Sequence, residues 1–240
     1  IKVYDDIRTL FSSLELSKIR DYKPKHFSFN VDGGRCEKCK GEGSLTIEMQ
    51  FMADVVIECN DCKGTRFKNE ICEVQYNGKS INDLLNMTVD DSIVFFQSNN
   101  YNRIAQKLKP LSDVGLGYIK LGQSSSTLSG GEAQRIKLAS FLSNRSFDKK
   151  VLFIFDEPTT GLHFHDINKL VNSFYHLIEK GHSIIVVEHN LDLIKIADHI
   201  IDLGPGAGEK GGEIIAEGNL EKIIKNKNSF TGKYLLKQLN

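Results

Sequence analysis

The sequence predicts an α/β protein with a largely parallel sheet, to which a four-cysteine module and a small helical subdomain are added. From residue 128 onward, short apolar segments of strand character alternate with segments of helical apolar spacing, as they do in the crossover units of parallel sheets. Two Cys-x-x-Cys pairs precede this region, at a spacing typical of metal modules. Between the second pair and residue 114, three further segments have helical apolar spacing.

Composition restricts the class of protein. The 240 residues include 31 Lys and Arg against 31 Asp and Glu, and 40% of the residues are hydrophobic. This balance excludes a highly charged disordered chain and a uniformly basic nucleic-acid coat, so that a DNA contact needs a local basic patch. No apolar run approaches the ~20 residues that span a bilayer, and we expect no membrane crossing.

Cysteine usage and the first residues predict the compartment. Five cysteines are too few for a disulfide scaffold and favour a reducing, cytoplasmic compartment. The chain opens on Ile1 without the basic and apolar regions of a secretory signal. We therefore expect a piece of a longer cytoplasmic protein.

Four segments follow from the order of these patterns. They are a helical lead-in over residues 1–22, the four-cysteine module over 23–76, the helical subdomain over 77–113 and the α/β core over 114–240. Apolar spacing predicts a hairpin over 44–58, helices over 81–87, 89–98, 102–113, 130–143, 166–180 and 191–197, and strands over 151–155, 183–188, 199–203 and 213–217.

The four cysteines of the module predict a zinc site. Cys36 and Cys39 are followed by 19 residues and then by Cys59 and Cys62, which fits the zinc spacing C-x2-C-x15–20-C-x2-C. Four thiolates complete a tetrahedral structural site, which stabilises a fold without catalysing a reaction. A pair of redox motifs is the alternative, but it needs a thioredoxin-like βαβ context that this segment lacks. Cys72 lies outside the repeat and is expected to be a small buried hydrophobe.

Basic residues cluster around the same cysteines. Residues 23–68 contain eight Lys and Arg against seven Asp and Glu, so the local net charge is small and a solvated surface is the simpler interpretation. The DNA-binding candidates at the two pairs are Arg35, Lys38, Lys40, Lys63 and Arg66.

Two groups of polar residues are expected at one edge of the sheet. Asp156 and Glu157 follow the wholly apolar segment 151–155, which predicts a strand buried on both faces, and Glu188 and His189 close the next strand. Ligands bind at the carboxyl ends of strands in open α/β sheets. There, one carboxylate can hold Mg²⁺ and another can orient or deprotonate water, although each motif alone also fits an ordinary strand end.

A third motif is a helix start. Ser129, Gly130 and Gly131 precede an apolar-periodic helix within the segment 128–135, LSGGEAQR, and such an N-terminus can bind phosphate. A plain helix cap is the alternative. A phosphate loop, G-x-x-x-x-G-K-[ST], is absent from the sequence, because its one partial match has Glu73 at the position of the first glycine.

In their order and spacing, residues 128–135, 151–160 and His189 resemble the signature, Walker B and histidine-loop motifs of ABC-type ATPases. Four further segments make the chain resemble the UvrA family of excinuclease ABC proteins over nearly its whole length. They are FSFNVDGGRCEKC at 27–39, VGLGYIKLG at 114–122, DEPTTGLH at 156–163 and EHNLD at 188–192. The match covers the back part of that family's second nucleotide-binding domain.

The resemblance implies a function and roles for the site residues. Ser129, Gly130 and Gly131 would contact the γ-phosphate of ATP, Asp156 would serve Mg²⁺, Glu157 would activate water and His189 would sense the γ-phosphate. The zinc module would help to govern binding to damaged DNA. The intact protein would be a dimer that passes damaged sites to the helicase UvrB in nucleotide excision repair, whereas this chain, without a phosphate loop, would be inactive alone.

Three alternatives remain. A UvrA-like paralogue with a role outside repair would share every motif. An ABC transporter cassette would share the signature and Walker B motifs, but a cysteine-ligated insert ahead of the signature is not expected there. A chaperone-type zinc module would explain the cysteine repeat and not the motifs over residues 128–189.

Overall fold

The α/β class predicted from the sequence is confirmed in a computed structural model that describes residues 3–49, 52, 54–143, 149–206, 208 and 211–239. The chain divides into two units, one of residues 1–129 with 135–145 and one of residues 130–134 with 146–240. The first unit contains three of the four predicted segments and part of the fourth. The two units do not separate those segments, so the division into four stays a prediction.

The first unit is mainly helical. Its helices are α1 (Val3–Ser13), α2 (Glu15–Ile19), α3 (Asn69–Cys72), α4 (Ile81–Asn86), α5 (Val89–Ser98) and α6 (Asn102–Asp113), with short 3₁₀ turns at Pro24–Phe27 and Ser125–Thr127. Helix α7 (Gly130–Ser143) contributes residues to both units. The helices predicted over 89–98 and 102–113 are confirmed, because α5 and α6 have the same bounds.

Apolar spacing and side-chain caps explain these helices. Helix α1 buries Ile7, Leu10 and Phe11, and the Phe11 ring packs 5.4 Å from that of Phe27. At the start of α5, the Thr88 hydroxyl accepts a hydrogen bond from the Asp91 N–H at 3.1 Å, which satisfies one of the free donors of a helix start.

In the part of the first unit that the structure describes, two hairpins interrupt the helices. Strands β1 (Ser44–Ile47) and β2 (Val55–Glu58) pair antiparallel, as the sequence predicts. A second hairpin forms where β3 (Gln75–Tyr76) pairs with β4 (Lys79–Ser80). Asn77 and Gly78 both have positive φ, 48° and 76°, which is the backbone that an Asn-Gly hairpin turn adopts.

The described residues of the second unit form two pairs of strands. Strands β5 (Leu152–Asp156) and β6 (Ser183–Val187) are parallel and are joined by α8 (Phe164–Glu179). After α9 (Leu191–Ile194), β7 (Ile200–Gly204) and β8 (Glu213–Gly218) pair antiparallel. Helices α10 (Leu220–Lys225) and α11 (Phe230–Leu239) follow. Helix α9 ends three residues before its predicted end.

Strand β5 is buried on one face only, so the expectation of burial on both faces is wrong for this chain. Phe153 and Phe155 are 8% and 6% exposed, and the Phe155 ring lies 4.9 Å from that of Phe174 on α8. On the opposite face, Leu152 and Ile154 are 54% and 68% exposed. The strand therefore packs against its crossover helix and presents an apolar row on its other side.

Polar contacts hold the last helix. The Asp202 carboxylate on β7 accepts hydrogen bonds from the hydroxyls of Ser229 at 2.6 Å and Thr231 at 2.8 Å. The Ser229 hydroxyl in turn accepts a hydrogen bond from the Gly232 N–H at 2.7 Å, so the start of α11 is bonded to the strand.

In the described part of the chain, no helix has both the length and the apolar character to cross a membrane.

Candidate metal and nucleotide sites

The four paired cysteines converge on one point. Cys36, Cys39, Cys59 and Cys62 are all buried, and their sulfur atoms lie within 4.8 Å of one another. The sulfurs of Cys36 and Cys59 are 3.9 Å apart, and those of Cys39 and Cys62 are 3.6 Å apart. Zn–S bonds of about 2.3 Å in a tetrahedron require S···S separations of about 3.8 Å. The donor set therefore fits one tetrahedral zinc ion.

The repeated Cys-x-x-Cys-x-Gly sequence produces the same turn twice. After each second cysteine, a lysine and a glycine both have positive φ: 50° and 90° at Lys40 and Gly41, and 48° and 75° at Lys63 and Gly64. At Gly41, a Cβ atom would lie 2.0 Å from the carbonyl oxygen of Phe29, so that no larger residue fits without a backbone shift. The same backbone turn therefore follows each pair of cysteines.

Backbone donors favour the thiolate form of one ligand. Hydrogen bonds from the backbone N–H groups of Cys62 and Asp61 lower the pKa of Cys59 to about 7, whereas burial raises the pKa of Cys62 to about 12. The Gly43 N–H also lies 3.3 Å from the Cys39 sulfur. Since zinc binds thiolates, the N–H groups of the turns support the same charge that a metal would require.

The five DNA-binding candidates have different surroundings. Arg35 donates from Nε to Asp32 at 2.9 Å and from Nη1 to the carbonyl oxygen of Lys40 at 3.1 Å. Arg66 donates to the carbonyl oxygen of Gly122 at 2.8 Å. The Arg35 guanidinium therefore bonds within the module, whereas that of Arg66 connects the module to residue 122.

The lysines are more accessible. Lys38 pairs with Asp61 at 2.8 Å, whereas Lys40 and Lys63 are exposed at equivalent positions of the two turns. These two lysines are the candidates best placed to reach a phosphate, and DNA binding by any of the five stays a prediction.

The residues after β5 and β6 meet at one edge, as the sequence predicts for parallel strands. Asp156 ends β5 opposite Val187 on β6, and the Glu157 N–H donates to the Val187 carbonyl oxygen at 2.9 Å. Glu157 Oε1 lies 3.7 Å from His189 Nδ1, with the two side chains 56% and 77% exposed. An acid and a base thus face solvent side by side, in reach of one ligand.

The backbone of Glu157 is unusual. Its φ of 45° lies in the left-handed region. This conformation costs a non-glycine residue about 1–3 kcal/mol, and residues that adopt it cluster at functional sites. The conformation follows from the sharp turn by which the chain leaves β5, with the Thr160 N–H donating to the Glu157 carbonyl oxygen at 3.1 Å. The turn directs the Glu157 side chain to the edge where His189 lies.

The signature segment contacts this edge through Gln134. Gly130 and Gly131 are the first residues of α7, directly after Ser129. The Gln134 side-chain amide donates to the Asp156 carbonyl oxygen at 3.1 Å and accepts from the Asp156 N–H at 3.4 Å. Sequence reasoning assigned no role to Gln134, because an amide on a helix carries no signal of its backbone partner.

A second residue without an assigned role is Glu188. Its carboxylate accepts hydrogen bonds from the Thr159 N–H at 2.9 Å, from the Thr159 hydroxyl, and from the N–H groups of His189 at 2.9 Å and Asn190 at 3.0 Å. Burial opposes ionisation of Glu188, but these hydrogen bonds outweigh burial and hold its pKa below the usual value. Its only signal in the sequence is its place beside His189.

Comparisons with known proteins identify the family. Together, the fold and these motifs define part of an ABC-type ATPase domain with an inserted four-cysteine module. The chain is 58% identical to UvrABC system protein A of Clostridium perfringens over 98% of its length, and 54% identical to that of Aquifex aeolicus over 99%. The crystal structure of UvrA2 from Deinococcus radiodurans superposes with a TM-score of 0.85 at 42% identity, covering 99% of this chain and 29% of that one.

The chain belongs to the UvrA family, as its motifs suggest. It spans about a quarter of the length of the curated relatives it matches, 25% in both proteins named above. No family model matches the chain.

Proposed function

We propose that this chain is part of a longer UvrA-like ATPase that recognises damaged DNA in nucleotide excision repair in the cytoplasm. The observation that carries the proposal is the pairing of Glu157 and His189 at the carboxyl ends of adjacent parallel strands, in a chain more than half identical to UvrABC system protein A.

Each polar residue at this edge has a role in ATP hydrolysis. Mg²⁺ bound with ATP neutralises charge on the phosphates, and the Asp156 carboxylate would hold it. The Glu157 carboxylate would accept a proton from the attacking water at Oε1 or Oε2. His189 would donate a hydrogen bond to the terminal phosphate, and its separation of 3.7 Å from Glu157 supports a role for both groups at one phosphate.

The signature residues belong to a second nucleotide. Ser129, Gly130 and Gly131 at the start of α7 would close over ATP held by an opposing cassette, because free N–H groups at a helix start attract phosphate. The phosphate loop that cradles the nucleotide beside Glu157 would come from the rest of the protein. The exposed apolar row of Leu152 and Ile154 on β5 supports this arrangement, since a parallel strand is ordinarily covered on both faces.

The four-cysteine module would hold one structural zinc ion and present Lys40 and Lys63 to the DNA backbone. Two exposed lysines at equivalent turn positions suit a phosphate surface. By family membership, the intact protein would act as a homodimer and pass damaged DNA to UvrB. A paralogue outside repair would keep the same ATPase edge and differ in these partners.

ATP turnover tests the proposal. The full-length protein should hydrolyse ATP, and Glu157→Gln should keep nucleotide binding while lowering kcat by about 10²–10⁴-fold, because the amide cannot accept a proton. Residues 1–240 alone should show neither turnover above background nor micromolar ATP binding, since they lack a phosphate loop. Glu157-dependent turnover by residues 1–240 would contradict the division of the site, and an inactive full-length protein would contradict the ATPase itself.

A further inference from the structure

Glu188 connects two loops that carry the proposed catalytic residues. Its Oε1 accepts both the N–H and the hydroxyl of Thr159, and its Oε2 accepts the N–H groups of His189 and Asn190. Thr159 lies in the loop after β5, two residues beyond Glu157, and His189 follows β6. One half-buried carboxylate therefore bonds to segments that are 29 residues apart in the chain.

Two further contacts hold Glu157 at the same site. On the strand side, the Glu157 N–H is fixed to the Val187 carbonyl oxygen at 2.9 Å. On the loop side, the Thr160 hydroxyl lies 3.5 Å from Glu157 Oε2. Without Glu188, the loop after β5 would keep its link to β6 at Val187 but lose the contact that holds Thr159 to the segment of His189.

The four donors require a carboxylate. An ionised glutamate offers two acceptor oxygens and no donor, whereas glutamine replaces one oxygen with an NH₂ group that would face N–H donors. Thr159 is 8% exposed, so that its hydroxyl has little water to replace a lost acceptor. Aspartate keeps the charge, but it is one methylene shorter and cannot reach both segments equally.

We propose that Glu188 is a positioning residue, whose carboxylate sets the separation of Glu157 and His189 by fixing the loop after β5 to the segment after β6. The inference rests on the proposed ATPase function and deepens it. Glu188 itself touches no substrate in this scheme and acts through its neighbours. If Glu188 only capped the end of the strand, its replacement would lower the stability of the protein without changing the rate of the chemical step.

The test compares ATP turnover by the full-length protein and by three variants. Glu188→Gln should lower kcat by about 10–100-fold with KM for ATP changed less than about threefold, because displacing catalytic groups by about 1 Å can cost 10²-fold in rate. Glu188→Asp should recover part of this loss. Glu179→Gln removes an exposed carboxylate at the end of α8 and should leave kcat unchanged. Each kcat is divided by the fraction of protein that binds nucleotide, so that loss of folded protein alone does not register.

The outcomes separate the two proposals. A wild-type kcat in folded Glu188→Gln, or equal losses in Glu188→Gln and Glu188→Asp, would overturn the positioning role and leave the ATPase intact. If Glu188→Gln does not fold, Thr159→Val removes one donor from the same carboxylate, and an unchanged kcat in that variant would overturn the role equally. A wild-type full-length protein without turnover would remove both proposals.

Discussion

Replacing Cys59 by serine should remove zinc from the protein and unfold the hairpin of β1 and β2 in the four-cysteine module. Cys59 is fully buried, and its sulfur lies 3.9 Å from that of Cys36. A serine hydroxyl is a poor ligand at neutral pH, and three remaining thiolates leave the tetrahedron incomplete. Cys72→Ser is the matched control, because Cys72 lies outside the cluster of four cysteines and is not expected to bind the metal.

The size of the effect follows from how little else supports the hairpin of β1 and β2. Among the described residues, the cluster around the four cysteines includes one partly buried hydrophobic side chain, Leu45, whose burial contributes less than the roughly 1.5–3 kcal/mol of a fully buried leucine. Every residue of β2 is exposed, and an isolated two-stranded hairpin is at best marginally stable in water. Zinc binding in such modules supplies about 10–16 kcal/mol. The metal therefore decides whether β1 and β2 form.

Metal analysis and hydrogen exchange measure this effect. Protein purified without chelator should contain about one zinc per chain, unchanged in Cys72→Ser and largely lost in Cys59→Ser. Amides of β1 and β2 should lose their protection in Cys59→Ser or after chelation, while those of α5 and α6 keep theirs. Absence of stoichiometric metal, or a hairpin that stays protected without metal, would refute the reasoning.

Two further predictions concern the DNA surface and the last helix. Lys40→Gln and Lys63→Gln in the full-length protein should each reduce the slope of log K against log salt for DNA binding by about one, because each exposed lysine that contacts a phosphate releases about one counterion. Lys18→Gln, an exposed lysine on α2, is the control. Asp202→Ala should destabilise the protein by about 1–3 kcal/mol, because the hydroxyls of Ser229 and Thr231 lose their acceptor, and denaturant unfolding measures this loss. Asp198→Ala, which removes an exposed carboxylate, is the control for stability. A salt slope that matches that of Lys18→Gln, or an Asp202→Ala variant as stable as Asp198→Ala, would show that these side chains lack the roles assigned to them.

Local patterns predicted much of the fold. The apolar periodicity of α5 and α6 is local to each helix, and helices of this kind form wherever one face can be buried. The cysteine spacing is equally informative, because two short Cys-x-x-Cys-x-Gly turns can each be formed by neighbouring residues alone. The wholly apolar segment before Asp156 predicted a strand whose carboxyl end carries the site, since parallel strands place their ends at a common edge.

The sequence alone determined the family, the cysteine cluster and the residues that end β5 and β6, because motifs of contiguous residues carry all three. Only the tertiary structure decided which side chains contact one another across distant segments. It showed that Arg35 and Arg66 bond to backbone carbonyls while Lys40 and Lys63 face solvent, and that Glu188 bonds to Thr159. The physical reason is that a hydrogen bond depends on the position and direction of both partners, and those are set by turns and packing that no short stretch of sequence encodes.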